Sequence, residues 1–210
     1  MLLSRKCKRN VTDIMGKQSS TSPDMTQVFA LFTKAKRKRS YSELISLLER
    51  PEYCHTADGQ NLLGYCYHLG LGVTQDYQKA RSLYLAAARQ GHLDALYNIA
   101  VLYEQGLGGK KNAKKAFYFY LQAARGGVVD AQCNLGTLYF DGIGVHQDTE
   151  QGFLWLQRAA RAGDKRAQFN LGMALFDLKK TRSLRSAKRW FQKAADQGHK
   201  RASSMLRRLL

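Results

Sequence analysis

An apolar-plus-small ladder recurs every 36 residues in this chain, as Leu63-Gly64, Ile99-Ala100, Leu135-Gly136 and Leu171-Gly172. Three positions further on, the same register holds Tyr67, Tyr103, Tyr139 and Leu175. Four copies in phase mean one supersecondary unit used repeatedly. A unit this short buries its apolar face only against its neighbours, so the copies must stack.

The rest of the register spells a helical hairpin. Glycine joints follow the ladder at Gly70-Leu71-Gly72-Val73, Gly106-Leu107-Gly108-Gly109 and Gly142-Ile143-Gly144-Val145. Asp76, Asn112 and Asp148 come next as candidate N-caps, whose side chains accept from the free amides of a new helical turn. Large residues then fill the space between helices (Leu83-Tyr84, Phe119-Tyr120, Trp155-Leu156, Trp190-Phe191), ahead of the small pairs Ala87-Ala88, Ala123-Ala124, Ala159-Ala160 and Ala194-Ala195. Gly91, Gly127, Gly163 and Gly198 close the units where a helix end calls for a left-handed residue. No Gly-x-Gly run joins a strand to a helix, so these glycines are hinges and not phosphate cradles. The expectation is an all-α chain of antiparallel helix pairs.

The pattern Ala-x-x-x-Leu-Gly-x-x-Tyr-x-x-Gly-x-Gly-Val-x-x-Asp-x-x-Lys-Ala-x-x-x-Tyr-x-x-Ala-Ala-x-x-Gly resembles the Sel1-like repeat, a relative of the tetratricopeptide repeat. Four units follow it at 59–94, 95–130, 131–166 and 167–201. The resemblance implies an α-solenoid, a right-handed superhelix of the tetratricopeptide-like kind. Two departures stand out. Gly109 replaces the usual Val, and the fourth joint reads Leu178-Lys179-Lys180-Thr181 and is one residue short. An atypical last unit is expected where a stack ends against water.

Outside the repeats, residues 23–58 read as an N-terminal capping helix pair. Asp24 is placed to cap the first helix, which carries Val28, Phe29, Leu31, Phe32 and Ala35. Ser40-x-x-Glu43 is a capping-box signature for the second, with Leu44, Ile45, Leu47 and Leu48 inside it and Pro51 near its stop. Residues 1–22, polar and rich in Ser and Thr, read as a disordered basic tail. Residues 202–210 read as a C-terminal capping helix. Cys7, Cys54, Cys66 and Cys133 occupy no repeated position and form no Cys-x-x-Cys, which predicts free thiols, a reducing compartment and no zinc. No apolar run reaches the roughly 20 residues of a membrane span, and the N-terminus lacks a secretory apolar region. The cytoplasm is the expected location, with the nucleus and the mitochondrion as alternatives.

The net charge of +18 is uneven. Residues 1–40 carry ten Lys/Arg against two acids, residues 41–157 nine against eleven, and residues 158–210 fifteen against three. Two basic patches result. The first is Lys34, Lys36, Arg37, Lys38 and Arg39. The second is Lys179, Lys180, Arg182, Arg185, Lys188, Arg189 and Lys193. Each reads either as a solvated helix surface or as a contact for an anionic partner, nucleic acid or membrane, through fields that salt weakens. Trp190 and Phe191 lie among these bases, but their register assigns them to the core.

In tetratricopeptide-like stacks the first helices line the concave face, and the resemblance assigns four rows of side chains to it here. They are Asn61, Leu62, Tyr65 and His68; Tyr97, Asn98, Val101 and Glu104; Cys133, Asn134, Thr137 and Phe140; and Phe169, Asn170, Met173 and Phe176. Asn98, Asn134 and Asn170 stand in phase. An Asn amide can pair with both the C=O and the N–H of an extended peptide, and aromatic anchors dominate many interfaces. Bonding to a neighbouring helix is the other use for the same amides. The face lacks a run of Lys or Arg, so a clamp for an acidic C-terminal tail is not expected. Five scattered histidines form no metal pair at helical spacing, and no catalytic motif occurs. The sequence therefore predicts a non-enzymatic scaffold or adaptor, without cofactor or small-molecule substrate, that binds a peptide or helix of another protein.

Overall fold

A computed structural model describes residues 25–38, 40–178 and 181–209. Those residues form helices α1 (Thr26–Lys38), α2 (Ser42–Leu48), α3 (Pro51–Cys54), α4 (Ala57–Leu69), α5 (Tyr77–Arg89) and α6 (Leu93–Gln105). Helices α7 (Ala113–Arg125), α8 (Val129–Asp141), α9 (Thr149–Arg161), α10 (Lys165–Asp177), α11 (Thr181–Asp196) and α12 (Lys200–Arg208) complete the set. No strand occurs among the described residues. The fold is all-α, built from consecutive packed helix pairs.

The chain divides into two compact units, residues 1–111 and 112–210. In the first, α4 pairs with α5, and α6 packs on α5. Ahead of that pair, Met25, Val28 and Phe32 meet Leu44, Ile45, Leu47 and Leu48 of α2 and Leu62, Leu63 and Cys66 of α4 in one apolar cluster. In the second unit, α8 packs between α7 and α9, α10 pairs with α11, and α12 closes on α11. Phe169, Ala187, Phe191, Ala194 and Ala202 form the core at that end.

Local chemistry explains where the helices begin. Asp76 accepts from the amides of Gln78 and Lys79, Asn112 from Lys115, and Asp148 from Gln151, as their spacing predicts. First helices use a different set of caps. Thr56, His92, Asp164 and His199 each accept from the amide three residues on. Val128 stands in the same place and makes no side-chain cap. The first helices begin at Ala57, Leu93, Val129 and Lys165, two residues ahead of the boundaries read from phase.

Two glycine roles decide how closely the helices approach. In the ladder, a Cβ on Gly172 would stand 2.6 Å from the Phe191 ring, and one on Gly136 would stand 2.8 Å from Leu156 Cγ. In the joints, Gly72, Gly108 and Gly144 have φ of 72°, 69° and 76°, and each rests on the start of a second helix, at Tyr41, Tyr77 and Ala113 respectively. Those three seats are themselves 36 residues apart. Helix α2 therefore occupies the place of a second helix, and the segment before the first repeat is a divergent hairpin. Gly109, where Val is usual, gives its space to Arg81, whose guanidinium bonds Gly108 O at 3.2 Å and lies 4.2 Å from the Tyr103 ring centroid.

The N-terminal reading needs correction in two details. Among the described residues three helices, not two, precede the repeats. The Ser40–Glu43 capping box does not form: α2 starts at Ser42, its cap residue is Tyr41, and no side chain caps it. Instead Glu43 pairs with Lys34 at 3.4 Å. Pro51 stands two residues past the α2 C-cap Glu49, near the stop as read, and also opens α3, where its missing N–H costs little in a first turn. Asp24 and the tail 1–22 lie outside the described residues. At the far end, α10 stops at Leu178 in a right-handed conformation, without a glycine.

Candidate interaction face

The predicted row of asparagines does not behave as one row. In the first unit, Asn98 Nδ2 donates to Asn61 Oδ1 at 3.0 Å, tying α6 to α4. Asn61 is 1% exposed, and Leu62 and Tyr97 are buried beside it. In the second unit, Asn170 Nδ2 donates to Thr137 Oγ1 at 3.4 Å, and that hydroxyl donates to Cys133 O. Asn98 thus reaches an asparagine, whereas Asn170 reaches a threonine one turn further along the neighbouring helix.

Several other predicted face residues turn into their own or a neighbouring hairpin. His68 lies edge-on to Tyr77 and Tyr84, at 5.7 and 6.3 Å between ring centroids, and Gln75 donates to its carbonyl. Tyr65 leans on Phe32 of α1, 6.2 Å away. Phe140 meets Phe153 edge-on at 5.1 Å, and its carbonyl accepts from Gln147. Phe169 is 6% exposed and stacks on His199 at 4.5 Å. Cys133 is buried too. Asn98, Val101 and Glu104 in the first unit, and Asn134, Thr137, Asn170, Met173 and Phe176 in the second, remain half-buried. They form two patches of neutral amide, hydroxyl and apolar groups, with Glu104 the single charge among them.

Carboxylate contacts gather where first helices begin. Arg166 is held by both Asp130 and Asp164, and His92 Nε2 lies 3.2 Å from Asp58 Oδ1. Sequence reasoning missed these contacts, although Asp130 and Arg166 are one repeat apart. Burial pushes the Cys66 thiol up to about 12 and raises that of Cys133 further, so both are held as neutral thiols. Cys54, Cys66 and Cys133 are free, and Cys7 lies outside the described residues. Among the described residues, no cluster of His, Cys, Asp and Glu could hold a metal ion. No described helix is long and apolar enough to cross a membrane.

The basic patches have distinct settings. Lys36, Arg37 and Lys38 are exposed in the last turn of α1, where cations offset the helix dipole. On α11, Arg185, Lys188, Arg189 and Lys193 are exposed, while Ala187, Phe191 and Ala194 behind them are fully buried. Lys193 sits 4.7 Å from the Trp190 ring centroid. Arg39, Lys179, Lys180 and the side chain of Arg182 lie outside the described residues.

Compared with known families, residues 57–92, 93–128, 129–164 and 165–199 each match the Sel1 repeat. The chain belongs to the Sel1 repeat family. Among solved structures it is similar to a Sel1 repeat protein from Oxalobacter formigenes, at 29% identity and a TM-score of 0.78, over 85% of this chain and 71% of that one. It is also similar to c5321, a protective antigen present in uropathogenic Escherichia coli strains displaying an SLR fold. The identity there is 28% and the TM-score 0.70, over 87% of this chain and 44% of that one. Immunity protein Pa5087 from Pseudomonas aeruginosa shares the fold at 20% identity and a TM-score of 0.57, over 87% of this chain and 70% of that one. No curated protein matches the chain. Sel1 repeats generally mediate protein–protein interaction and are typically non-catalytic.

Proposed function

We propose that this Sel1 repeat protein is a scaffold that grips an extended or helical segment of a partner protein along its first helices. The observation that supports this reading most is the pair of side-chain bonds, Asn98 to Asn61 and Asn170 to Thr137, that hold successive first helices side by side. Helices fixed in this way present half-buried side chains at set spacings. Asn134 and Asn170 offer amides able to bond a peptide backbone. Met173 and Phe176 offer flexible and aromatic apolar surface of the kind that anchors partner side chains.

Site-specific photocrosslinking tests the reading. A benzophenone amino acid placed at Asn134, Met173 or Phe176 should trap one and the same partner in cells. The same probe at Tyr118 or Leu154, which are exposed on second helices, should trap it weakly or not at all. Crosslinks confined to the second helices would reject the first helices as the binding face.

A further inference from the structure

Helix α11 carries a cationic surface that its role in the stack does not explain. With about 100° between successive residues, Lys188, Arg185, Arg189 and Lys193 fall within an arc of about 140° and span about 12 Å along the axis. All four are exposed. The helix has no acid in its first turn, and its one acid, Asp196, accepts from Gln192 at 2.7 Å. Helix α12 repeats the arrangement with Lys200, Arg201, Arg207 and Arg208, all exposed, and again has no acid in its first turn.

This distribution works against helix stability. Arg185 and Arg189, and Arg189 and Lys193, are like charges four apart, a spacing that destabilises a helix. Lys200 and Arg201 stand at the positive end of the α12 dipole, where acids are favoured. Alternating signs would make a better solvated surface. We propose that the outward face of α11, extended by α12, is a second docking site, distinct from the first-helix face, for an acidic polypeptide segment.

The chemistry of the surroundings selects that occupant. Membrane insertion needs an apolar face, and the apolar face of α11 is already buried within the hairpin core. Single-stranded nucleic acid needs exposed aromatic rings for its bases, but Phe191 is fully buried and Lys193 lies over Trp190. The face offers a row of guanidinium and ammonium groups, which carboxylates spaced along a helix or strand can match, with Arg able to bind them bidentately. An acidic protein segment also fits the interaction role of Sel1 repeats.

Fluorescence anisotropy with a labelled, Glu-rich helical peptide of about 20 residues tests the site. Binding should weaken by at least about tenfold as salt rises through the range in which surface charges become screened. Arg185→Glu, Lys188→Glu, Arg189→Glu and Lys193→Glu together should weaken it by at least about tenfold. The matching reversal at Lys34, Lys36, Arg37 and Lys38 should change it by less than about twofold. Should the Glu variant lose helicity, Gln at the same four positions serves instead, with about a fivefold loss expected. Asn134→Ala, on the first-helix face and outside the α11 core, should leave peptide binding intact, which separates this site from the first-helix face. Absence of binding, retention by the α11 variants, or an equal loss from the α1 variant would overturn the proposal. Tighter binding to an RNA of equal charge, or to phosphatidylserine vesicles, would overturn it as well.

Discussion

The side-chain amide of Asn98 donates to the side-chain carbonyl of Asn61 at 3.0 Å, joining two first helices from 37 residues apart. The bond is one residue off the repeat period, because Asn61 aligns with Tyr97 and not with Asn98. Asn61 is 1% exposed, so its carbonyl has little water to fall back on.

Asn98→Ala removes that donor and should cost about 1–3 kcal/mol, the range for depriving a buried polar group of its partner. Asn170→Ala, whose bond to Thr137 is 3.4 Å long and half-exposed, should cost less than about 1 kcal/mol. Urea unfolding of the two variants gives the comparison directly. Equal losses would mean the two bonds do the same work after all.

Gly172→Val places branched carbon where a Cβ alone would be 2.6 Å from the Phe191 ring. Overpacking of this kind should destabilise by about 1–3 kcal/mol, visible as a lower Tm. Gly136→Val, against Leu156, should act in the same direction. An unchanged Tm at both positions would show that the hairpins open without penalty.

The architecture was legible wherever a residue type has a single local job. Asp76, Asn112 and Asp148 cap, and Gly70, Gly106 and Gly142 take left-handed conformations at helix ends, because local bonding alone decides those roles. Ser40 failed as a cap because packing placed the start of α2 at the seat for Gly72, beyond the reach of a four-residue motif. Tyr41 lies in the same register as Tyr77 and Ala113, and that signal was present in the spacing. The face was harder to read. Helical phase assigns a side chain to a surface, but only packing shows that Phe140 turns to Phe153, or that Phe169 is covered by His199.

His199 makes the last helix sensitive to acid. Its Nδ1 accepts from the Ala202 amide at 3.2 Å, which requires an unprotonated nitrogen. Burial against Phe169 lowers its pKa below the ordinary 6.5; the cations Lys165 and Arg201 lower it further, against opposing effects from Asp164 and its backbone bond. With a folded value below the unfolded one, the unfolded chain binds more protons as pH falls through 6.5. Stability at this end is therefore complete above that pH and declines below it. Amide protection factors in α12 should fall between about pH 7.5 and 5.5, and His199→Asn, which caps without titrating, should flatten the change.

The thiols offer a direct probe of opening. Cys66 and Cys133 are buried and held neutral, so a thiol reagent at mildly alkaline pH should modify Cys54 ahead of both. Modification of Cys66 and Cys133 should track global unfolding in denaturant. Rapid labelling of Cys133 in the native protein would contradict the packing around α8 and α9.

Gly72 on Tyr41, Gly108 on Tyr77 and Gly144 on Ala113 are one junction used three times, with an unchanged length of chain between glycine and seat. A junction of constant length makes the assembly modular. Whole hairpins could be duplicated or excised without redesigning their borders, whereas a single inserted residue inside the interval would break the mating surfaces. The N-terminal segment ends in the same coupling and is on that account a transferable lid, equipped to crown any sibling hairpin whose glycine arrives on schedule.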